Sequence, residues 1–70
     1  MEFIEAHDDA ASVILSRDDI NMIISMIGET LEAVDDVELQ TRTGFYRDEI
    51  LEFRLAIKSV ESKIAESAHE

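Results

Sequence analysis

Seventy residues carry seventeen acids against six bases, a net charge of -11, with 46% hydrophobic residues and neither cysteine nor proline. That length allows one small domain at most, the hydrophobic content excludes a disordered acidic tail, and the lack of cysteine excludes a disulfide framework or a thiolate metal site. Charge of this sign disfavours nucleic acid and anionic membrane and favours a basic protein surface.

The charge is unevenly placed. From Met1 to Thr41 eleven acids meet the single base Arg17, whereas from Arg42 to Glu70 six acids meet five bases. No apolar run exceeds three residues, as at Val13 to Leu15 and Met22 to Ile24, too short to span a membrane. The acidic N-terminus lacks the basic region that opens a signal peptide, so the expected compartment is cytoplasmic.

Helical spacing recurs along the chain, and the predicted class is all-α: a small domain of three helices, or four if residues 1–15 are helical. In that first segment Phe3, Ala6, His7, Ala10, Ala11, Val13 and Ile14 share one arc of a helical wheel, opposite Glu5, Asp8, Asp9 and Ser12. An amphipathic helix is favoured slightly over an extended arm, because acids suit a helix N-terminus. Ser16 is the expected N-cap of the next helix, with Asp19 three residues on completing a capping box.

The helix over 16–35 has the clearest pattern. Ile20, Ile23, Ile24, Ile27, Leu31 and Val34 follow the i, i+3, i+4 rule and form one stripe. Gly28 lies within it, at a cost of roughly 1 kcal/mol against alanine, and is expected to permit close helix approach. Asp35 and Asp36 cap a short helix over 36–43, which Gly44 closes in the left-handed conformation. Phe45 is expected to pack back over that terminus. A long helix over 46–66 carries Ile50, Phe53, Ile57, Val60 and Ile64 at the 4, 3, 4, 3 rhythm of a heptad seam, the expected core or dimer seam. Residues 67–70 are expected to fray.

Both strong helices bear a second apolar stripe: Met22, Met26 and Ala33 on the first, Leu51 and Leu55 on the last. Leu51 and Leu55 are expected to pack within the chain, the last helix being central. Met22 and Met26 suit an adaptable binding surface, since the thioether is flexible and polarizable. A chain this short gains little net stability from its own core, so a homodimer is predicted, by bundle-like packing of the long helices.

Chemistry is sparse. His7 reads as a packed residue at the core edge, and His69 near the end lacks neighbours that would orient a metal ligand. No pair of histidines has ligand spacing, and no calcium-loop pattern, phosphate cradle or nucleophile elbow occurs. No catalytic residue, cofactor or metal is expected, and the chain is not read as an enzyme. The attachment triplet of acyl carriers, Asp-Ser-Leu, is also missing.

Leu39, Gly44, Ile50 and Phe53 fall at helix-turn-helix spacing, so the centre of the chain is expected to be a helix-turn-helix-like unit followed by the long helix. In a DNA-binding version Tyr46 and Arg47 would open the recognition helix, but Asp48 and Glu49 would then face phosphates. With the charge of the wrong sign, nucleic acid is an unlikely partner.

The favoured function is therefore a small acidic helical protein that occupies a basic surface of a partner protein, of the inhibitor, antitoxin, immunity or anti-defence kind. Its contact residues are predicted as Met22, Met26, Glu29, Glu32, Asp35, Asp36, Glu38 and Tyr46, with nucleic-acid mimicry as one version, in which Asp18 and Asp19 join these acids. The alternatives are a helix-turn-helix transcriptional regulator and a purely structural small dimer or adaptor subunit. Solvation of the helix faces is the simplest competing explanation of the charge.

Overall fold

The structure is a computed structural model and describes residues 1–67. Strands β1 (Glu2–His7) and β2 (Ala10–Ile14) form an antiparallel hairpin, followed by helices α1 (Arg17–Ala33), α2 (Asp36–Thr43) and α3 (Arg47–Ser67). The chain is mostly helical but not all-α.

The hairpin corrects the helix expected over 1–15. His7 pairs with Ala10 across the two-residue turn Asp8-Asp9, and Asp8 takes the left-handed conformation at φ 47. Aspartate is among the few residues that tolerate that region, so the acid pair serves a turn. The flanking residues alternate about this turn: Phe3, Ala6, Ala11 and Val13 share one face, and Glu5, His7 and Ser12 share the other. Ile4 is the extra residue of a bulge between Phe3 and Glu5. His7 is therefore an exposed strand residue, with its Nε2 3.2 Å from Ser12 Oγ and 3.3 Å from Glu5 Oε1.

The three helices keep close to their expected bounds because their ends are chemically marked. Ser16 Oγ accepts from the Asp19 amide at 3.1 Å, and the Ser16 amide donates to Asp19 Oδ2 at 3.0 Å, which completes the capping box. Asp35 Oδ1 accepts from the Glu38 amide at 2.8 Å and caps α2. Gly44 ends α2 at φ 81, its amide bonded to Gln40 O at 2.8 Å, the left-handed terminus that glycine adopts without Cβ strain. At the start of α3 the Tyr46 amide donates to Glu49 Oε1 at 3.0 Å. The expected frayed tail lies outside the described residues except Ser67, the last helical residue.

Core packing follows the isoleucine stripe of α1. Ile20 and Leu39 are fully shielded, and Ile23, Ile24, Ile27, Leu31 and Val34 are half-buried. On α3 the half-buried positions are Arg47, Ile50, Arg54, Ile57, Glu61 and Ile64, while Phe53 and Val60 of the predicted seam are exposed. Polar groups thus interrupt the inner side of α3, and Arg54 Nε is buried without a hydrogen-bond partner.

Leu51 and Leu55 do not pack within the chain. They are 41% and 68% exposed, because α3 lies against α1 and α2 and no other described element covers its far side. Gly28 does not serve close helix approach either, since an added Cβ would meet nothing within 4 Å.

The fold is open for its size. Its accessible surface is 5638 Å², where a compact monomer of 7.9 kDa exposes about 4,400 Å². The radius of gyration is 14.2 Å, against about 11 Å for a globular chain of this length.

Candidate functional site: the α1–α3 groove

Residues of α1, of α3 and of the turn after α2 line an apolar groove of about 780 Å³. Ile23 and Ile27 from α1 and Ile50 from α3 line it as half-buried residues, and Met26, Phe45 and Phe53 line it as exposed ones. Thr30, Thr43, Glu49 and Glu52 complete the lining, so every charged group there is an acid.

Local chemistry sets each position. Thr30 Oγ1 donates to Met26 O at 2.8 Å, and Thr43 Oγ1 donates to Leu39 O at 2.7 Å. Both threonines thus satisfy their hydroxyls on their own helices and present methyl groups outward. Phe45 does not fold back over α2 as expected. Its amide is held by Thr43 Oγ1 at 3.1 Å, and the side chain is 56% exposed at the groove.

Arg47 fixes the closed end of the α1–α2–α3 unit. Its Nη1 donates to Leu31 O at 3.0 Å and its Nη2 to Val34 O at 2.9 Å, while Nε pairs with the Asp36 carboxylate. No base lies in the last turn of α1, so the guanidinium supplies the positive charge that a helix C-terminus favours. A cation in the first turn of α3 is unfavourable for α3 itself, which makes sense only through this service to α1.

The predicted contact residues do not fall in one place. Met26 lines the groove, and Met22, Glu29 and Glu32 are exposed on α1 outside its lining. Tyr46 and Asp36 line a second, smaller depression of about 380 Å³ with Arg47, Asp48 and Leu51. Asp35, Asp36 and Glu38 have structural roles: the first caps α2, the second pairs with Arg47, and the third pairs with Arg42 at 2.6 Å.

Glu49, Glu52, Phe45 and Phe53 are groove residues that the sequence reading did not assign to contact. The available signal was the pair Glu49 and Glu52 on the helix that bears Phe53, at i and i+3, masked by the near-neutral net charge of residues 42–70.

The ionisation of Asp19 is clearly displaced. Its carboxylate lies 2.6 Å from the Met1 ammonium, and that bond, followed by the Ser16 amide, holds its pKa below the ordinary aspartate value. Among the described residues no group of three or more His, Asp or Glu side chains could hold a metal ion, and no helix is long and apolar enough to cross a membrane. His69 lies outside the described residues.

No protein-family model, curated protein or solved structure matches the chain. The functional reading therefore rests on the groove and its charge.

Proposed function

We propose that the protein is a non-catalytic acidic binder that occupies a basic, amphipathic segment of a partner protein, with the α1–α3 groove as its seat. The observation that carries this reading is the pairing of an apolar lining with acids alone, Glu49 and Glu52. A groove between two helices suits an amphipathic helix that lays its apolar side chains inward. Lysines or arginines flanking that face would meet the two glutamates, and Glu29 and Glu32 would add to the field that steers the encounter. Met26, Phe45 and Phe53 are the apolar anchors, of the kind that concentrates binding energy at an interface centre.

On this reading a helix-turn-helix-like unit over α2 and α3 sets α3 beside α1 as the second wall of the groove. The DNA-binding alternative has less support, because Arg47 is engaged with Leu31, Val34 and Asp36 and is withdrawn from the few bases that could meet phosphates.

The test uses a fluorescent amphipathic peptide of leucine and lysine, titrated by anisotropy at low salt and at high salt. Saturable binding that weakens with salt is expected, together with loss on Phe53→Asp and weakening on Glu49→Gln with Glu52→Gln. Equal binding by a scrambled peptide of the same charge would reduce the effect to bulk electrostatics and refute the groove assignment.

A further inference from the structure

The hairpin is uncovered by the rest of the chain. Every residue from Met1 to Ile14 is exposed, including Phe3 at 64% and Ile14 at 54%. A lone two-stranded ribbon is marginal in water, and stability normally requires a third strand or a covering layer. The need is permanent, since the hairpin must fold whether or not a partner occupies the groove.

The surface area says how much cover is missing. The chain exposes about 1,200 Å² more than a compact monomer of its mass. That excess is of the order of the roughly 800 Å² each partner buries in a standard interface.

The two strand edges differ in chemistry. β1 carries Glu2 and Glu5 and the bulge at Ile4, devices that discourage edge pairing. From Ala10 through Ser16 there is no charge at all, so β2 has none of these devices. With His7 and Ala10 closing a two-residue turn, the antiparallel alternation turns the N–H and C=O of Ala11 and Val13 away from β1. Among the described residues no backbone hydrogen bond outside the hairpin's own ladder reaches β2. An isologous contact must be acceptable to itself. The β2 edge is so, whereas β1 against β1 would set glutamates together.

We infer that a second copy of this chain pairs along β2, antiparallel about a two-fold axis at Ser12, to form a four-stranded sheet. Ala11 of each chain then exchanges hydrogen bonds with Val13 of the other, and the Phe3, Ala6, Ala11 and Val13 faces join into one apolar surface. The long helices are not the main dimer contact. Each copy carries a charge of -11, so dimerisation tightens as salt screens the repulsion. Occupation of the groove by a basic partner has the opposite salt dependence.

The chain has no cysteine, which permits a direct test. In the proposed register the two Ser12 positions form a non-hydrogen-bonded pair with Cα atoms about 4.5 Å apart, within the range of a disulfide. Sedimentation equilibrium of the full chain should give twice 7.9 kDa, with the association strengthened by salt. Mild oxidation should convert Ser12→Cys to a covalent dimer, while Glu5→Cys, directly across the hairpin on β1, stays unlinked. Val13→Lys should return the chain to monomer with its helicity retained.

A wild-type monomer at tens of micromolar with full helicity would overturn the inference. So would a dimer that Glu5→Cys links and Ser12→Cys does not, or one that neither variant links. Phe53→Asp abolishes peptide capture in the groove and leaves the Ser12→Cys cross-link intact, so the two assignments fail separately.

Discussion

Removal of the Arg47 guanidinium should unfasten α1 from the α2–α3 corner. Two hydrogen bonds run from it to Leu31 O and Val34 O, and a third group, Asp36, pairs with Nε. Bonds from charged donors contribute about 1.5–3 kcal/mol each when buried, and the Arg47 side chain is 32% exposed, which brings each to about 1 kcal/mol. The Asp36 carboxylate is 77% exposed, so that pair adds at most about 1 kcal/mol. Arg47→Ala should therefore cost about 2–3 kcal/mol, and Asp36→Asn less than about 1 kcal/mol. Arg47→Lys should fall between them, because an ammonium keeps the charge but cannot fork to two carbonyls.

Urea unfolding followed by circular dichroism at 222 nm, at one fixed protein concentration, measures all three. In thermal melts Arg47→Ala should lower the midpoint by roughly 10–20 °C, at about 4–8 °C per kcal/mol for a chain this size. A loss under about 0.5 kcal/mol for Arg47→Ala would refute the reasoning, since the carbonyl bonds would then contribute almost nothing net. An Asp36→Asn cost equal to that of Arg47→Ala would also refute it, by moving the effect from the α1 terminus to the ion pair.

The two glycines should respond to alanine with opposite sign. Gly28→Ala has open space around the new Cβ and should stabilise by up to about 1 kcal/mol through helix propensity; Gly44→Ala must hold φ 81 and should destabilise by about 1–2 kcal/mol, both read from urea midpoints. Ser16→Ala removes the acceptor for the Asp19 amide and should cost about 0.5–2 kcal/mol, visible as a lower thermal midpoint. Because the Asp19 pKa is depressed in the folded state, its contribution is present above the unfolded value of about 3.9 and is lost as pH falls through the lower folded value. Asp19→Asn should flatten the acid limb of a stability-against-pH curve below about pH 4, and an unchanged limb would contradict the assigned contact.

Much of the helical part was readable because its signals are local. Ser16 with Asp19, Asp35 before α2 and Gly44 after it act within four residues, and their geometry follows from backbone groups that every helix end leaves unpaired. The hairpin was not read because its signal competes with a helical one. Seven apolar or small residues happen to fit a helical arc, and the Asp8-Asp9 turn lacks the glycine that usually announces a two-residue loop. Val13 and Ile14, β-branched and next to Leu15, were the residues that favoured a strand. The groove was half legible: its isoleucines follow from the α1 stripe, but its acids come from α3. The role of Arg47 was not legible for the same reason, since the carbonyls it serves belong to another helix.

These placements change what the charge means. The acids of the first half are the conspicuous ones, yet many of them are engaged locally: Asp8 in the turn, Asp19 in the capping box, Asp35 and Asp36 at the start of α2, Glu38 with Arg42. An acid that caps a helix or pairs with an arginine has fixed geometry and a neighbour that partly cancels its field. Glu29 and Glu32 on α1, and Glu52 at the groove, have no such ion pair among the described residues. The count of acids per segment therefore overstates the N-terminal half as a contact surface and understates α3. A partner that reads charge together with apolar shape meets both at the groove, where Glu52, and Glu49 although it also accepts from the Tyr46 amide, line the same wall as Phe53. Neutralising Glu49 and Glu52 should consequently weaken peptide capture more than neutralising Asp35 and Glu38, even though both pairs remove two charges.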